Sequence, residues 1–511
     1  MVANHRSVKT LSCLAGSLAG STSPRLHSER KQTMAHFDLV IIGTGSGNSI
    51  PGPEFEHLTI AIVEDGLFGG TCLNVGCIPT KMFVHPAELA DAARHGKALG
   101  IDAQLNAVDW PGIRDRIFGR IDAIEAGGRQ YREGPECPNI TVFAGRGRFI
   151  EHKTLHIDLH DGGTSQVTAD RFVLAAGSHV VVPNIPGLAA GTDAAGTAEA
   201  GTATFHTSDT IMRLDKLPAS IAILGGGYIA AEFAHVFSSF GVQVTQIARG
   251  KRLLKSQDAD VSAQYTKEAA ARYTVLLETQ VSGVANTADG VELQLNGQDG
   301  TQTLRAEVLL IATGRKPNGA NLAVEATGVA LDDHGRVVVD EFQQTGVAGI
   351  YALGDISSHY QLKHVANHEA KVVKHNLAHP DSPISSDHRF VPAAVFTDPQ
   401  IASVGITEAH AIKAGIPHAV KIQNYGDIAA GWAREDSGHF LKVLADPATG
   451  LLLGAHAIGP EAATVIQPLI QAMHFGQTAH DVATKQYWIH PALSELVENA
   501  LLGLPTPQPT H

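Results

Sequence analysis

Short apolar runs that end in glycine recur along this chain, and they predict buried strands. The seven clearest are "FDLVIIGTGSG" (37–47), "LTIAIVE" (58–64), "RFVLAAGS" (171–178), "IAILGGG" (221–227), "VQVTQIA" (242–248), "VLLIATGR" (308–315) and "GIYALGD" (349–355). Most of them lead into a helix-like stretch, and this alternation is typical of parallel sheets built from βαβ units. Two of the runs carry a Gly-rich turn, so we expect two Rossmann-like dinucleotide-binding domains.

The pattern changes in the last part of the chain. "VPAAVFTDPQIASVG" and "FLKVLADPATGLLLGAHAIG" predict antiparallel strands with turns, and "EAATVIQPLIQAMHFG" then has helical periodicity. This part has no Gly-rich phosphate loop of its own. The predicted fold class is therefore α/β, with two dinucleotide-binding domains followed by a C-terminal α+β domain.

Two segments differ from the rest in composition. Residues 1–33 are basic, Ser-rich and poor in acids, which fits a targeting peptide or an extra N-terminal tail. We favour the tail, because a strong strand pattern begins directly after it. Residues 187–204 consist mainly of Gly, Ala and Thr, and they predict a flexible surface loop between domains.

Overall composition excludes several classes of protein. A chain of 511 residues with 44% hydrophobic and 17% charged residues is typical of a globular protein with several domains. It has no long uncharged apolar run, so no membrane span is expected. The formal charge of −13 argues against general nucleic-acid binding. Four cysteines, at positions 13, 72, 77 and 137, are too few for a secreted disulfide scaffold, so we expect a cytoplasmic protein.

The first Gly-rich turn is "GTGSGN", which runs from Gly43 to Asn48. Its glycines can make a tight turn and let backbone N–H groups approach a pyrophosphate. Glu64 ends the next predicted strand, where an acid accepts a hydrogen bond from a ribose 2′-hydroxyl. Asn48 stands where a third glycine is expected, and the following "SIPGPEFEH" contains two prolines. We therefore expect the helix after this turn to be short or displaced.

The second Gly-rich turn, "GGGYIA" from Gly225 to Ala230, is complete. No Asp or Glu occurs between positions 233 and 257, where the ribose-binding acid would stand. Cations occupy this region instead: Arg249, Lys251, Arg252 and Lys255. Because cations attract a 2′-phosphate that a carboxylate would repel, the sequence favours NADPH over NADH.

The stretch "GGTCLNVGCIPTKMF" holds the closest pair of cysteines, Cys72 and Cys77. Zinc sites need a second pair, which this chain lacks, and a structural disulfide here would close a very short loop. A redox couple explains more. Pro79 predicts a helix that begins near Cys77, and the unpaired N–H groups at its start would favour the Cys77 thiolate, with Lys81 adding positive charge. Cys72 would then be the outer, attacking thiol.

Several motifs in a fixed order resemble those of one family. "GGTCLNVGCIPTK", "ATGR" (312–315), "ALGD" (352–355) and "HPALSE" (490–495) resemble the flavin-dependent disulfide oxidoreductases. The resemblance covers nearly all of residues 34–505. Within this family, "GTGSGNS", "KHVANHEAKVVKHN", "VPAAVFTDPQIASVG" and "QYWIHPALSELVENALLG" are most similar to the mycothione reductase branch.

The resemblance implies a domain order. An FAD-binding domain would comprise 34–182 and 316–388, an NADPH-binding domain 183–315, and a dimerisation domain 389–511. FAD would bind at the first Gly-rich turn and NADPH at the second, and no metal site is implied. The implied cofactor-binding residues are Gly43, Gly45, Ser46, Gly47, Glu64, Gly70, Thr71, Lys81, Ala176, Gly177, Gly225, Gly227, Tyr228, Ile229, Glu232, Arg249, Lys255, Thr313, Gly314, Arg315, Gly354 and Asp355.

The resemblance also implies how the cofactors are held. Asp355 would bond the ribityl chain of the flavin, and the helix that starts near "LKHVANHEA" would direct its positive end at the flavin ring. Glu232 would pair with Lys81 close to the flavin N5. Tyr228 would cover the nicotinamide pocket and move aside when NADPH arrives.

The catalytic residues that the resemblance implies are Cys72, Cys77, Lys81, Glu232, His490 and Glu495. Cys72 would attack a substrate disulfide, and His490 would protonate the leaving thiolate while Glu495 orients its ring. In this family the histidine reaches the site across the subunit interface, which implies a two-fold homodimer.

The substrate is constrained by what the chain lacks. "SIPGPEFEH" contains no Lys or Arg, so an anionic peptide disulfide would have no clamp there. No cysteine follows Cys137, unlike in mercuric reductases, and Ala248 stands where lipoamide dehydrogenases have a glutamate. These features favour a sugar-bearing disulfide, mycothione. The alternatives are a lipoamide dehydrogenase-like or other low-molecular-weight disulfide reductase and, from another class, a non-catalytic flavoprotein subunit, which the presence of both cysteines and His490 disfavours.

Overall fold

The computed structural model describes residues 34–188, 203–298 and 300–507. The expectations for residues 1–33 and for most of the 187–204 loop lie outside these residues. Within the described ranges the chain forms three separate β-sheets of four or more strands, with helices packed against them. The predicted α/β class with a C-terminal α+β domain is confirmed.

The strands follow the apolar runs of the sequence. They are β1 (Met34–Ile42), β2 (Ile60–Glu64), β3 (Ile140–Glu151), β4 (Thr154–Leu159), β5 (Thr164–Leu174), β6 (Ser178–Val180), β7 (Ser220–Leu224), β8 (Gln243–Ile247), β9 (Thr274–Leu276), β10 (Gln280–Thr287), β11 (Gly290–Gly297), β12 (Gly300–Ala306), β13 (Val308–Ile311), β14 (Arg315–Pro317), β15 (Ile350–Ala352), β16 (Ala393–Val395), β17 (Gln400–Gly405), β18 (Ala419–Asn424), β19 (Phe440–Ala445) and β20 (Leu452–Gly459).

The helices lie mainly between these strands. They are α1 (Gly70–Asn74), α2 (Cys77–His95), α3 (Trp110–Glu133), α4 (Ser208–Ile211), α5 (Tyr228–Ser239), α6 (Ala259–Arg272), α7 (Lys363–Ala378), α8 (Glu408–Ala414), α9 (Ala429–Trp432), α10 (Ala462–Val465), α11 (Gln467–His474), α12 (Ala479–Thr484) and α13 (Glu495–Leu502).

The first sheet contains the first Gly-rich turn at the end of β1. Strands β3, β2, β1, β5 and β15 are parallel in that order, and β4 joins β3 to β5 in antiparallel pairs. Alternate residues of β1 enter two different cores: Val40 and Ile42 belong to one cluster, and Leu39 and Ile41 to the other. A strand buried on both faces needs apolar residues at every position, which explains the continuous runs in the sequence.

The second sheet has the order β13, β7, β8, β9, and all of its pairs are parallel. The second Gly-rich turn follows β7. An antiparallel sheet of β10, β11 and β12 lies beside it. The last sheet is antiparallel throughout, in the order β16, β17, β20, β19, β18. The segment "EAATVIQPLIQAMHFG", for which the sequence predicts a helix, forms α10 and α11. Their apolar side chains are buried in the core of this part.

Helix α2 joins the first two sheets. Its residues Phe83 and Val84 share one hydrophobic core with Phe237 of α5. The indole of Trp110 stacks between the rings of Phe83 and Phe237, with ring centroids 4.9 and 5.8 Å away. The helix that begins at Cys77 therefore rests against the helix that begins at the second Gly-rich turn.

Candidate active site

The first Gly-rich turn contains a glycine, Gly43, that a residue with a side chain cannot replace. Gly43 has a φ of +102°, and a Cβ there would lie 2.3 Å from the carbonyl oxygen of Ala175. A Cβ on Gly45 would meet no atom within 4 Å, so its backbone faces open space. The turn thus presents an open peptide surface at the carboxyl edge of the sheet, as a bound pyrophosphate requires.

Glu64 lies where the sequence predicts it, at the end of β2. Its Oε2 accepts hydrogen bonds from the backbone N–H of Thr44 at 2.8 Å and from the hydroxyl of Thr44 at 2.5 Å. Its Oε1 accepts from the backbone N–H of Gly66 at 2.8 Å. Each carboxylate oxygen has two lone pairs, so this arrangement holds the turn and leaves acceptor capacity for a further donor.

The long helix that usually follows such a turn is absent among the described residues, as expected. Two short 3₁₀ helices, Gly47–Ser49 and Pro53–Phe55, replace it. Arg132, buried on α3, holds this segment through the Asn48 side chain (Nε to Oδ1, 2.9 Å) and the Asn48 carbonyl (2.6 Å). Sequence reasoning missed Arg132, because the two residues lie 84 positions apart.

The two cysteines lie next to each other at the junction of α1 and α2. Helix α2 begins at Cys77 as predicted, and the thiols hydrogen-bond to each other. Cys77 is exposed and Cys72 is half-buried, and both are free thiols in this structure.

The pKa directions of the pair correct one expectation. The hydrogen bond from Cys77 lowers the pKa of Cys72 to about 7, helped by Lys363 and by the backbone N–H groups of Ile78 and Cys77. The same hydrogen bond raises the pKa of Cys77 well above its ordinary value. The N–H of Cys77 at the helix start does lower the pKa of Cys77, as expected, but the hydrogen bond between the two thiols outweighs it, so that the ionised form is favoured on Cys72 and not on Cys77.

Helix α7 begins at Lys363, where the sequence predicts a helix start. The Lys363 ammonium group donates a hydrogen bond to the Ser46 hydroxyl at 2.8 Å, and Ser46 donates to Oδ1 of Asn367 at 2.9 Å. The first Gly-rich turn and the start of α7 are thereby tied together. Lys363 was not foreseen, since its partner lies 317 residues away.

Asp355 is part of a chain of polar groups. Its Oδ2 accepts a hydrogen bond from Ser178 at 2.7 Å, and Ser178 accepts from Nε of Arg315 at 2.8 Å. The preceding residue, Gly354, has a φ of +73° and donates its N–H to buried Glu369 at 2.6 Å. Three of the predicted cofactor-binding residues, Arg315, Gly354 and Asp355, therefore lie close together, near the ends of β5, β13 and β15.

Two further segments that contain predicted cofactor-binding residues lie at this edge of the sheet. The Ala176 carbonyl accepts from the Asn318 side chain at 2.8 Å, and the Gly177 carbonyl accepts from the Asn318 backbone at 3.0 Å. The hydroxyl of Thr313 donates to the carbonyl of Val181 at 2.6 Å.

The expected pairing of Lys81 with Glu232 does not occur in the structure. Lys81 contacts Glu88 instead, at 3.5 Å, and its ammonium group lies 4.5 Å from the ring centroid of Phe396. Glu232 accepts a hydrogen bond from the backbone N–H of Phe396 at 2.9 Å. Burial raises the pKa of Glu232 to about 7, and Lys81 acts on it only at longer range.

The second Gly-rich turn has the same construction as the first. Gly225 has a φ of +151°, and a Cβ there would lie 2.2 Å from the Ala312 carbonyl oxygen. Gly227 caps α5, and a Cβ on it would meet no atom within 4 Å. Tyr228, the first residue of α5, is 45% exposed at the mouth of this turn.

The cations predicted to bind a 2′-phosphate follow β8. Arg249 and Lys255 are exposed, and within the described ranges neither forms an ion pair with a carboxylate. They lie on the loop between β8 and α6, beside the second turn, and are free to bind an anion.

His490 and Glu495 form a contact of their own, between His490 Nδ1 and Glu495 Oε1. The imidazole is 71% exposed, whereas the carboxylate is mostly buried and its Oε2 has no hydrogen-bond partner among the described residues. In the described part of the chain, no hydrogen bond or ion pair links this dyad to Cys72 or Cys77. The dyad therefore lies exposed on the surface of the C-terminal part.

Metal-binding clusters and membrane-spanning helices are both absent from the described residues. No group of three or more His, Cys, Asp or Glu side chains among them is arranged to hold a metal ion. None of their helices combines the length and the apolar character needed to cross a membrane.

Residues 37–370 match the family model described as pyridine nucleotide-disulphide oxidoreductase, and residues 391–501 match its dimerisation domain. A mycothione reductase of Mycobacterium tuberculosis (strain CDC 1551 / Oshkosh) is 49% identical over 92% of this chain and 100% of its own length. A dihydrolipoyl dehydrogenase of Mycobacterium bovis is 32% identical, over 92% of this chain and 98% of its own. The solved structure of the HOCl-induced flavoprotein disulfide reductase RclA from Escherichia coli superposes with a TM-score of 0.77 at 26% identity, over 91% of this chain and 99% of that one.

Proposed function

This chain belongs to the pyridine nucleotide-disulphide oxidoreductase family, and from that premise we propose that it reduces mycothione to mycothiol with electrons from NADPH, through FAD and a Cys72–Cys77 disulfide. The observation that carries the proposal is the cysteine pair itself. Its thiols touch at the start of α2, between the two Gly-rich turns, and they differ widely in pKa. A dithiol whose two protons leave at different pH values is suited to attack with one sulfur and close with the other.

The three large sheets support a division of the chain into three domains. We propose an FAD-binding domain formed by 34–182 and 316–388, an NADPH-binding domain at 183–315 and a dimerisation domain at 389–511. The pairing of β15 with β5 supports the return of the chain to the first domain after the second.

The first Gly-rich turn and its surroundings fit FAD. Gly43, Gly45 and Gly47 provide the open turn for the pyrophosphate, with Ser46, Gly70 and Thr71 beside it. Glu64 would accept from a ribose hydroxyl, and Asp355 from the ribityl chain. Ala176, Gly177, Thr313, Gly314, Arg315 and Gly354 form the remaining wall. When bound, FAD would supply the transfer of two electrons from NADPH to the cysteine pair.

The second turn fits NADPH. Gly225 and Gly227 leave room for the pyrophosphate at the start of α5, with Ile229 beneath it. Arg249 and Lys255 are unpaired cations for the 2′-phosphate. Tyr228 is exposed at the mouth, so its phenol can close over the nicotinamide or turn away from it.

The electrons that reach the pair cleave the bond between its two sulfurs. The Cys72 thiolate then attacks one sulfur of mycothione, forming a mixed disulfide and releasing one mycothiol as a thiolate that takes a proton. Cys77 attacks Cys72, which releases the second mycothiol and restores the disulfide. Lys81 and Glu232 lie beside the pair, and we propose that they set the charge around it during these steps.

His490 is the proposed general acid, and Glu495 orients its imidazole and stabilises the protonated form. The dyad is exposed and has no contact with the cysteine pair of its own chain. We propose that it completes the site of a partner subunit in a homodimer, whose interface is built by the matched dimerisation domain. The large apolar side chains exposed just before it in the chain, Tyr487 and Ile489, support this arrangement.

The proposed substrate is uncharged around its disulfide. The 3₁₀ segment Pro53–Phe55 carries no cation that would hold an anionic peptide. A dithiol that works by repeated reduction also needs a reducing compartment, so we propose that the protein acts in the cytoplasm.

The test is a panel of disulfides (mycothione, glutathione disulfide, lipoamide) assayed with NADPH and with NADH. We expect mycothione to be reduced with NADPH in preference to the others, and Cys72→Ser to abolish the reaction. After anaerobic NADPH treatment, the titratable thiols should increase by two per chain. If lipoamide is reduced preferentially, and with NADH, the result would instead support a dihydrolipoyl dehydrogenase. If no disulfide is reduced and the number of titratable thiols does not change, the result would support a non-catalytic subunit.

A further inference from the structure

We propose that Lys442, a buried lysine of the C-terminal antiparallel sheet, positions the loop 249–257 and thereby sets the preference for NADPH over NADH. It is a positioning residue, which acts through the start of α6 and not by touching the nucleotide. This inference rests on the proposed function, because the loop carries Arg249 and Lys255, the two cations that we assign to the 2′-phosphate.

Lys442 lies on β19, a strand of otherwise apolar side chains. It is only 1% exposed, and its neighbours Leu441 and Val443 belong to the apolar core of the C-terminal part. Because side chains alternate along a strand, Lys442 points to the opposite face of the sheet. On that face Ile458 of β20 shares a core with Val261 of α6. A buried ammonium group needs anionic partners, so its partners define what it does.

Three carboxylates surround the Lys442 ammonium group, and two of them belong to the proposed NADPH-binding domain. Nζ lies 3.0 Å from Oδ1 of Asp258 and 2.7 Å from Oδ2 of Asp260, at the start of α6. Glu408 of α8 is the third, at 2.6 Å. Asp258 is fully buried, and in the part of the chain that the structure describes Lys442 is its one ion-pair partner. This buried ion pair therefore connects the C-terminal sheet with the start of α6.

Asp258 marks both the end of the loop and the start of α6. Its Oδ1 caps the helix by accepting a hydrogen bond from the Asp260 N–H at 3.1 Å. The same oxygen accepts from Lys442, so the lysine and the cap hold each other in place. Lys255 comes only three residues before Asp258. Displacement of the cap would therefore displace this cation as well.

The middle of the loop is held against α6 and the second Gly-rich turn. The Leu253 carbonyl accepts from the Ser262 hydroxyl at 2.7 Å, and the Leu253 N–H donates to the Thr266 hydroxyl at 3.0 Å; both hydroxyls belong to α6. The Leu254 N–H donates to the Gly226 carbonyl at 2.8 Å. Leu254 has a φ of +51°, a conformation that leucine keeps only where its surroundings hold it. The shape of the loop thus depends on the position of α6.

Two exposed cations can bind one phosphate together only if the backbone that carries them is fixed. Arg249 and Lys255 are both exposed, so the loop determines where their charges lie. The pyrophosphate site is built mainly by β7 and α5, which Lys442 does not contact. Loss of Lys442 should therefore weaken binding of the 2′-phosphate and leave binding of the rest of the nucleotide nearly unchanged.

The test compares 2′,5′-ADP with 5′-AMP, which differ only in the 2′-phosphate. Both affinities are measured by calorimetry on the FAD-loaded enzyme. Lys442→Met should lower the affinity for 2′,5′-ADP by roughly 5- to 20-fold and that for 5′-AMP by less than about 2-fold. Hydrogen exchange of the amides of residues 249–257 should be faster in this variant than in the wild type.

Val443→Ala is the matched control. Val443 is the next residue of β19, is equally buried and faces the other side of the sheet, so this variant weakens the C-terminal core without touching the loop. Its affinity ratio and its exchange rates in 249–257 should match the wild type. If Lys442→Met does not fold, Lys442→Met combined with Asp258→Asn decides in the same way, because it leaves no buried unpaired charge and asparagine still caps the helix.

Two results would overturn the proposal: an affinity ratio in Lys442→Met equal to that of the wild type, or an equal change of this ratio in Val443→Ala. If the wild type binds 2′,5′-ADP no more tightly than 5′-AMP, the result counts against NADPH in the proposed function. The exchange rates of residues 249–257 would then decide by themselves whether Lys442 holds the loop.

Discussion

Glu232 illustrates how burial sets the chemistry of a single side chain. It lies on α5 beneath the second Gly-rich turn, and burial raises its pKa to about 7, while the Phe396 N–H and Lys81 act in the opposite direction. A carboxylic acid with this pKa is close to half protonated at neutral pH. It can therefore gain or lose a proton as the charge on the neighbouring cysteine pair changes.

The raised pKa of Glu232 predicts a pH dependence of stability. The folded protein binds the Glu232 proton more tightly than the unfolded chain does, so this group's contribution is complete below its ordinary pKa of 4.5 and is lost as the pH rises through about 7. Its upper limit is about 3 kcal/mol. As the pH rises from 4.5 to about 7, the unfolding temperature of Glu232→Gln should therefore fall less than that of the wild type.

The control for Glu232 is Glu56→Gln, which removes an exposed carboxylate elsewhere in the chain. Its unfolding temperature should change with pH as that of the wild type does. An identical decline for Glu232→Gln and the wild type would contradict a raised pKa of the Glu232 carboxyl group.

At the scale of elements, the segment 47–55 shows how a missing helix is replaced. The prolines shorten it to two 3₁₀ turns, and Arg132 of α3 supplies the hydrogen bonds that keep it in place. The planar arginine fork presents separate N–H groups to the side chain and the carbonyl of Asn48, a fixed geometry that a lysine ammonium group does not have. The position of the first Gly-rich turn therefore depends on a helix from a later part of the chain.

Arg132→Met should weaken FAD binding and destabilise the protein. The substitution leaves the Asn48 carbonyl without its donor, and hydrogen bonds to a charged group each contribute on the order of 1.5–3 kcal/mol. We expect roughly a tenfold or greater loss of FAD affinity, measured by titrating apoprotein with FAD. Arg129→Met is the control, because Arg129 lies one turn earlier on α3 and, in the part of the chain that the structure describes, pairs only with exposed Glu133.

The loop after β8 gives a second prediction at this scale. Arg249→Ala combined with Lys255→Ala should raise the KM for NADPH by roughly 10-fold or more while leaving that for NADH nearly unchanged, because only NADPH carries the 2′-phosphate. Steady-state kinetics with both nucleotides measures this. Lys267→Ala removes an exposed cation from α6 and should have no such effect. An equal rise in the KM for both nucleotides would contradict the assignment of Arg249 and Lys255 to the 2′-phosphate.

Elements and turns could be predicted from the sequence because their signals are local. A strand buried on both faces needs a continuous apolar run, and Gly43 and Gly225 are required by backbone geometry within a few residues. The partners of Lys81 and the pKa order of the cysteines could not be predicted. They depend on where Phe396, Glu88 and the N–H groups of α2 come to lie, and these positions follow from long-range packing.

At the scale of the whole molecule, the proposed site draws its residues from two subunits. Among the described residues, His490 and Glu495 form no hydrogen bond or ion pair with Cys72 or Cys77 of the same chain. A two-fold dimer would bring each dyad to the cysteine pair of its partner, since the interface of such a dimer is used twice.

Complementation between variants tests this arrangement. Cys72→Ser should be inactive, and His490→Ala should lose roughly 10²–10⁴-fold in turnover while NADPH still reduces its disulfide. When the two variants are co-expressed, a mixed dimer has one site with both residues intact, so random pairing should restore about a quarter of wild-type activity. If His490 acts within its own chain, no mixture recovers activity.

Helix α2 constrains how nucleotides can enter and leave. Because it shares one packed core with α5, the two nucleotide-binding domains cannot hinge apart without separating Trp110 from the ring of Phe237. Access to the nicotinamide pocket then has to be controlled by rotation of a side chain, for which Tyr228 is placed. The gate of such an enzyme opens on the fast timescale of rotamer changes, and opening it does not require the redox sulfurs to move.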